Sequence, residues 1–591
     1  MNYQKLNIIN TAINKIHSIL TEKQFLIFSS ILVGLSAGIA AVVLKLFVHG
    51  IRHLILEGFF EGSSKYLYLL FPVIGIGITV FLIKPLFKND VNVGSVNILH
   101  SIAKKGSFLP FEQIYSHIIT SGLTVGFGGS AGLESPIVST GSAIGSNYSR
   151  VNKLNYKERT LLLAAGAAGG ISGAFNAPIA GVLFALEVIL VDISITAFIP
   201  LLIASVSGAL ISSILLKEDI LLSFQNLAPF NYHNVPFYIL LAIVAGITSI
   251  YYVNVFHFLE SFYEKLGSKR LRWVLGGVFL IIMVFVFPSL FGEGYESIKL
   301  LATNSAPQIF KNSPLYLAAY ADWALLILLT IVMLIKVFAA SATIGSGGVG
   351  GNFAPSLFVG AYLGYVFSLL FKLLGINLPM SNFTLVAMAG ILSGVFHAPL
   401  TSIFLIAEIS GGYALIVPLM IVASISYVIV KFFHPESMDI RKLKLRGTIV
   451  SENKDISILG RIEVLDLIEK DFSVLHPEES LGKVIEHIKH TRRNIFPVVN
   501  KKNKLLGIVQ LDNIREEMFD TKLYEKITAK DIMEKVSAKI SSDESIFSAM
   551  KKFDETGQWN LPVVKDGIYL GFLSKSSVLS RYRHELIDSF N

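Results

Sequence analysis

Two stretches of this chain occur twice, and the duplication limits its fold more than any other feature. Gly169–Glu187 and Gly390–Glu408 match at a constant offset, including a shared Phe-x-Ala-Pro turn and a final glutamate. A glycine-rich stretch precedes each copy, and these stretches, Gly128–Gly145 and Gly347–Gly364, also match. Two apolar halves that Gly and Pro interrupt at corresponding places are typical of membrane transporters, whose substrate lies where the broken helices meet.

The composition indicates that most of the chain lies in a lipid bilayer. Of the 591 residues, 53% are hydrophobic and only 16% are charged, with a mean hydropathy of +0.62. Runs such as Ile27–Phe47 approach the ~20 residues that cross ~30 Å of hydrocarbon as a helix, and shorter broken runs must be shielded inside the bundle. We therefore predict an all-α polytopic membrane domain at 25–433. It should be an inverted repeat of tilted and broken helices, with halves at roughly 25–215 and 235–433.

The ends and the charges of this region indicate its topology. Residues 1–24 lack the apolar core of a cleavable signal peptide and predict an amphipathic cytoplasmic helix. The formal net charge of +8 comes from basic residues beside membrane segments, such as Lys84 and Lys104, as the positive-inside rule expects. The charge therefore indicates a lipid bilayer as the partner of these basic residues, and not a nucleic acid. We expect a multi-pass integral protein of the bacterial inner (cell) membrane.

Beyond His434 the composition becomes charged, and a second duplication begins. A linker is predicted at 434–458 and a soluble domain at 459–591, with copies at about 459–520 and 525–591. Each copy reads strand, helix, strand ending in Pro-Val-Val, strand and helix. The pair resembles tandem CBS domains, which form a small α/β module.

Many CBS modules bind adenine nucleotides through a hydroxyl residue and an acidic residue that contacts the ribose. Gln510 and Ser574 stand at the hydroxyl positions here, while Asn513 and Ser577 replace the acid. We therefore expect a structural dimerisation module without a cofactor, and weak nucleotide binding remains the alternative.

The glycine-rich turns each precede a predicted helix with a proline in its first turn, Pro136 or Pro355. The first backbone N–H groups of a helix have no internal partners and carry about half a positive charge. Two such helix starts aimed at one point form an anion site that needs no buried cation. The residues expected to supply it are Gly132, Leu133, Ser135, Asn352, Phe353 and Ala354.

Glu134 is the one acidic residue in these two turns. A carboxylate there can occupy the place of the anion itself, and protonation neutralises it so that it can swing aside. We therefore expect Glu134 to be the gate and a proton carrier. The alternative is that Glu134 only caps its helix at a membrane surface.

These motifs resemble the CLC family of chloride channels and proton-coupled chloride exchangers. The gating segment of the family corresponds to Gly132–Pro136, and its Gly-x-Phe-x-Pro segment corresponds to Gly351–Pro355. The resemblance covers essentially the whole chain. It implies a small inorganic anion, chloride first, as the substrate, and protons as the coupled ion in exchangers. It also implies a homodimer with one pore in each subunit and both chain ends in the cytoplasm.

The chain departs from the family at two anion ligands. Val93 and Gly94 fall in the first anion-binding segment, where valine replaces a serine, and Ser95 substitutes only if the register slips. Asp439 stands where the family has a tyrosine. A carboxylate at the inner mouth repels anions unless it is protonated or paired, for example with Arg441 or Lys442. We expect anion selectivity to be weaker or altered.

A third departure concerns proton coupling. The inner proton-transfer glutamate of the exchangers corresponds to Val188, and valine cannot carry a proton. The neighbouring Glu187 corresponds to an acid thought to be structural, and its repeat mate Glu408 supports that interpretation. These residues favour a channel, and a proton-coupled antiporter is the alternative.

Other functional classes fit the sequence less well. An intramembrane enzyme would need a nucleophile and base or a metal motif, and the sequence contains none, so we expect neither catalysis nor a metal site. A CBS-containing cation transporter would need several membrane carboxylates for a hard cation. The membrane region has too few for that.

Overall fold

The computed structural model describes residues 20–58, 67–87, 94–190, 195–216, 227–303, 305–445, 459 and 462–590. The chain divides into two compact units, Met1–Gly447 and Thr448–Asn591. Most of the helix predicted at 1–24 lies outside the described residues, and the first described helix begins at Glu22.

Within the described residues, the regular secondary structure of the first unit is helical, apart from an isolated β-bridge. Its helices are α1 Glu22–Gly58, α2 Phe71–Phe87, α3 Ser95–Lys104, α4 Gln113–Gly126, α5 Glu134–Val151, α6 Tyr156–Phe175, α7 Pro178–Phe184, α8 Ile195–Leu216, α9 Val235–Lys265, α10 Lys269–Val286, α11 Tyr295–Ala302, α12 Asp322–Gly345, α13 Phe353–Leu373, α14 Met380–Phe396, α15 Pro399–Ile409, α16 Ile416–Phe433 and α17 Met438–Leu445. Of these, α17 lies within the predicted linker 434–458, whose residues 446–458 are not among those described.

Apolar helices of this unit are long enough to span a bilayer. By length and composition, six helical segments in the described residues qualify. The apolar windows of five of them are 33–50% buried, which leaves a large apolar surface for lipid, whereas the window in α13 is 94% buried. The helix α13 therefore lies inside the bundle, where an interrupted helix is protected from lipid.

Within each half, glycines bring two helices into close contact, and they do so at corresponding places. The pair α5 and α6 corresponds to the pair α13 and α14. A Cβ atom added to Gly141 would lie 2.1 Å from the Gly166 carbonyl oxygen, and one added to Gly360 would lie 2.5 Å from the Met388 Cα. Small residues are thus required at the same place in both halves.

The duplicated Phe-x-Ala-Pro turns end one helix and begin the next. Asn176 ends α6 with a φ of 54°, and His397 ends α14 with a φ of 56°. Both adopt the left-handed conformation that terminates helices. Pro178 and Pro399 then begin α7 and α15, because a proline is well tolerated in the first turn of a helix.

The second unit combines short strands with helices. Its elements are α18 Leu481–His490, β1 Ile495–Val499, β2 Leu505–Gln510, α19 Ala529–Ile532, β3 Ile540–Ser541, α20 Ile546–Thr556, β4 Asn560–Lys565, β5 Ile568–Ser574 and α21 Lys575–Phe590. Strands β1 and β2 pair antiparallel, and the second sheet has the order β3-β4-β5. The predicted fold class, a helical membrane region followed by a small α/β module, is confirmed.

Candidate functional site

The two glycine-rich turns meet at one point of the membrane unit. The Gly132 N–H donates to the Gly351 carbonyl, and the Gly351 N–H donates to the Gly132 carbonyl, both at 2.8 Å. This reciprocal pair is an antiparallel bridge between equivalent residues of the two repeats. We call this point the crossing.

Two equivalent threonines support the crossing. The Ser130 N–H donates to the Thr343 hydroxyl, and the Val349 N–H donates to the Thr124 hydroxyl, both at 3.0 Å. Each threonine lies in the helix that leads into one turn and bonds the turn of the other half. The backbone N–H groups of Ser130 and Val349 are thereby satisfied within the protein.

Helices α5 and α13 begin directly after the crossing. Their N-cap residues, Leu133 and Asn352, make no side-chain capping hydrogen bond. A Cβ atom on Gly132 would lie 3.0 Å from the Ala354 nitrogen, and one on Gly351 would lie 2.2 Å from the Ser135 hydroxyl. The structure thus brings together the two predicted helix starts, whose free N–H groups are suited to an anion. That these residues bind an anion stays a prediction.

The Glu134 side chain lies between the two helix starts. It is 3% exposed, and Oε1 accepts a hydrogen bond from the Tyr295 hydroxyl at 2.8 Å. The other oxygen, Oε2, lies so close to Gly132 that a Cβ there would approach it to 2.1 Å. The carboxylate interacts with the N–H groups of Glu134 and Ala354, although Oε2 has no partner at ordinary hydrogen-bond geometry in the described residues. The carboxylate therefore occupies the position to which both helix starts point.

A vestibule of ≈390 Å³ lies beside the crossing, and its lining includes Ser135, Gly351 and Asn352. Gly94 lines the same cavity and donates its N–H to the Ser139 hydroxyl at 2.7 Å. Val93, the residue predicted to replace an anion-binding serine, lies outside the described residues.

Asp439 also lines this vestibule. Its carboxylate accepts a hydrogen bond from the Ser95 hydroxyl, so Ser95 contacts the residue that we predict to stand in the place of the family's tyrosine. Lys442, one of the two expected partners of Asp439, instead forms its ion pair with Glu260. Arg441 contacts His434 at 3.4 Å.

The region around Val188 has a repeated arrangement of carboxylates. Glu187 accepts hydrogen bonds from the N–H groups of Leu400 at 3.1 Å and Thr401 at 2.7 Å. Glu408 accepts from the first turn of α7, at Ile179 and Ala180, at 3.0 and 2.9 Å. Each glutamate therefore caps the helix of the opposite repeat. Val188 itself packs partly buried against the apolar core.

The two candidate nucleotide residues of the tail have different surroundings. The Ser574 hydroxyl donates to Glu469 at 2.6 Å, and Glu469 also pairs with Arg493 at 2.7 Å. Hydrogen bonds from Arg493 lower the pKa of Asp471. Gln510 ends β2 and is partly buried. The hydroxyl that a nucleotide would need is thus already bonded to a carboxylate.

Sequence reasoning missed several residues of the site. Tyr295 contacts Glu134, and the Tyr252 hydroxyl donates to the Asn352 side chain at 3.2 Å. Lys336 is fully buried and donates to the Ser130 hydroxyl at 2.8 Å and to the Gly292 carbonyl at 3.1 Å. The signal that could have identified Lys336 and Tyr295 is a lysine and a Gly-Glu-Gly-Tyr segment within otherwise apolar sequence. No group of three or more side chains arranged to hold a metal ion occurs in the part of the chain that the structure describes.

Comparison with known families finds two matches. The voltage-gated chloride channel family matches residues 75–431. The CBS domain matches twice, at residues 464–520 and 529–584. Both resemblances predicted from the sequence are confirmed.

Individual relatives include channels and exchangers. The chloride channel protein CLC-e of Arabidopsis thaliana is 26% identical over 438 residues, which cover 68% of this chain and 59% of that protein. The H+/Cl− exchange transporter ClcA of Vibrio cholerae is 29% identical over 311 residues, covering 50% and 62%. The matches thus span about three fifths of the length of these relatives. A slow cyanobacterial Cl−/H+ antiporter of known structure has a TM-score of 0.62 at 20% identity, covering 72% of this chain and 98% of that one. This similarity concerns the fold.

Proposed function

Because the chain belongs to the voltage-gated chloride channel family, we propose that it conducts a small monovalent anion, with chloride as the first candidate, across a membrane. The anion would bind where helices α5 and α13 begin. Its ligands would be N–H groups near Gly132, Leu133, Ser135, Phe353 and Ala354. The single observation that supports this most strongly is the Glu134 carboxylate, a negative group that already lies at both helix starts.

Glu134 would act as the gate. While ionised, its carboxylate competes with the anion for the same N–H groups and for the positive ends of the same helices. Protonation removes that competition, so the side chain can leave and an anion can enter. Conduction should therefore increase as the pH falls.

The pathway is proposed to be channel-like. The exchanger's inner proton residue corresponds to Val188, which cannot ionise. A proton-coupled antiporter is the second candidate, since an exchanger is among the relatives and Asp439 offers a carboxylate at the vestibule. A CBS-containing cation transporter is the third candidate and has the least support.

The assembly is part of the same proposal. We propose a homodimer with one pore in each subunit, in the bacterial inner membrane, with both termini in the cytoplasm. The membrane domain would span 25–433 and the tandem CBS module 459–591. The match of the channel family to 75–431 and the two CBS matches support this division.

Flux from sealed proteoliposomes tests the function. Wild-type protein should release chloride, faster at low pH, and Glu134→Gln should conduct at every pH because the neutral amide does not compete with an anion. If an imposed chloride gradient drives protons uphill in the wild type and not in Glu134→Gln, the protein is an antiporter and not a channel. Cation flux that depends on Glu134 without any anion flux would overturn both.

A further inference from the structure

A short loop of the membrane unit, Gly292–Tyr295, contacts the crossing and carries two ionisable side chains that the proposed gate does not use. The Gly292 N–H donates to the Gly128 carbonyl at 2.9 Å. Lys336 joins the same loop to the Gly132 turn, because its ammonium group bonds both the Gly292 carbonyl and the Ser130 hydroxyl. A Cβ atom on Gly294 would lie 2.4 Å from the Phe358 ring, so the backbone is fixed closely against α13.

The first ionisable side chain of the loop is Tyr295. Its hydroxyl donates to Glu134 Oε1 at 2.8 Å. A donor of this kind stabilises the charged form of a carboxylate more than the neutral form. Tyr295 therefore favours Glu134 in its ionised state and at its observed position.

The second ionisable side chain is Glu293, which is partly buried. Its carboxylate lies within interaction range of the Leu133 N–H, at the same helix start that Glu134 faces, and the charge of Glu134 acts on it. Like charges in one poorly solvated site oppose each other's ionisation. Because this repulsion is mutual, Glu293 in its ionised form acts on Glu134 in the direction opposite to Tyr295.

Basic groups on two other elements face this pair of acids. Lys45 acts on both carboxylates, and Arg52, also on α1, acts on Glu293. Lys336 on α12 acts on Glu293 and lies 4.7 Å from the Phe358 ring centroid. Their positive charge offsets part of the repulsion between the two carboxylates.

We propose that the Gly292–Tyr295 loop is a latch that sets the pH at which Glu134 releases the pore. Tyr295 is a positioning residue that holds the ionised gate closed, and Glu293 is a second acid that weakens this hold when it is ionised. The proposal rests on the proposed gating role of Glu134. It assigns the loop a regulatory function that the anion site alone does not require.

Two substitutions should shift the pH at half-maximal chloride flux in opposite directions. Tyr295→Phe removes the donor, so the gate protonates more readily and the midpoint should rise by about one pH unit or more, since a hydrogen bond to a charged group changes such an equilibrium tenfold or more. Glu293→Gln removes the opposing charge, so the midpoint should fall by a similar amount. A purely structural role would not produce opposite signs.

Matched controls use the same proteoliposome assay at equal pH on both sides. Glu293→Asp keeps the charge and should retain a midpoint near that of the wild type. Tyr238→Phe removes the hydroxyl of a buried tyrosine that stacks on Phe383 and should have no effect on the midpoint. In a Glu134→Gln background, neither latch substitution should change the pH profile.

The outcomes separate this inference from the proposed function. If Glu134→Gln abolishes the pH dependence while Tyr295→Phe and Glu293→Gln leave the midpoint unchanged, or shift it the same way, the latch is refuted and the gate stands. If Glu134→Gln keeps the wild-type pH profile, the gate itself is refuted. Should Tyr295→Phe not fold, Glu293→Gln measured against Glu293→Asp decides, because a midpoint that does not fall refutes the latch.

Discussion

Replacing Asp439 by asparagine removes one negative charge from the wall of the vestibule and keeps the shape of the side chain. Asp439 lines the same cavity as Gly94, Ser135 and Asn352, and its carboxylate accepts a hydrogen bond from Ser95. On the proposed pathway, an anion that travels between the vestibule and the crossing would pass this carboxylate. We expect Asp439→Asn to increase anion conduction.

The size of the cavity sets the magnitude of the expected increase in anion concentration. A volume of ≈390 Å³ is that of a sphere about 9 Å across. Two unit charges about 9 Å apart interact by about 0.5 kcal/mol in water and by about 2 kcal/mol at an effective dielectric constant of about 20. Since about 1.4 kcal/mol corresponds to a factor of ten, the anion concentration in the vestibule should rise about 2- to 30-fold. Lys442 acts on Asp439 as well, but it pairs with Glu260, whose negative charge acts on Asp439 in the opposite direction.

Chloride flux from proteoliposomes at two ionic strengths measures the effect. The gain of Asp439→Asn should be large at about 10 mM salt, where the screening length is about 30 Å, and small at about 1 M, where it is about 3 Å. It should also shrink at low pH, where the wild-type carboxylate is neutral. Ser95→Ala, which removes the hydroxyl and keeps the charge, is the control and should not reproduce the salt dependence. Equal flux of wild type and Asp439→Asn at low salt and at pH 8 would refute the reasoning.

The described contacts lead to four further predictions. Glu187→Gln and Glu408→Gln should each lower the free energy of unfolding by about 2 kcal/mol, because each removes charged hydrogen bonds to the opposite repeat. Thermal unfolding in detergent measures this loss. A loss in only one of the two variants would contradict the reciprocal capping. Gly132→Ala should disturb the gate, because its Cβ would lie 2.1 Å from the gate carboxylate, and the pH dependence of flux should weaken. Gly50→Ala, with open space around its Cβ, should instead stabilise α1 by about 1 kcal/mol and leave flux unchanged. Millimolar ATP should not raise the unfolding temperature, since the Ser574 hydroxyl is already bonded to a carboxylate; a rise that depends on ATP concentration would show that the tail binds nucleotide.

Much of the fold follows from the sequence because its signals are local and repeated. Apolar runs of membrane-spanning length, a Gly-Pro interruption at equivalent places and the change of composition after His434 are each readable within a short window. The same holds for the two helix starts at Gly132 and Gly351, since a glycine-rich turn followed by an early proline is a local pattern. The glutamate in the first of these turns was evident for the same reason.

The partners of these residues depend on the tertiary structure. Tyr295 lies 161 residues from Glu134, Ser95 lies 344 residues from Asp439, and Glu408 lies 228 residues from Ala180. No pattern within a short window reports such distances, because the contacts arise only when the two repeats pack against each other. The sequence by itself therefore determined a duplicated helical membrane protein with two opposed helix starts and one acid between them. Only the packing of the halves decided which groups hold that acid, which hydroxyl meets Asp439 and which glutamate caps which helix.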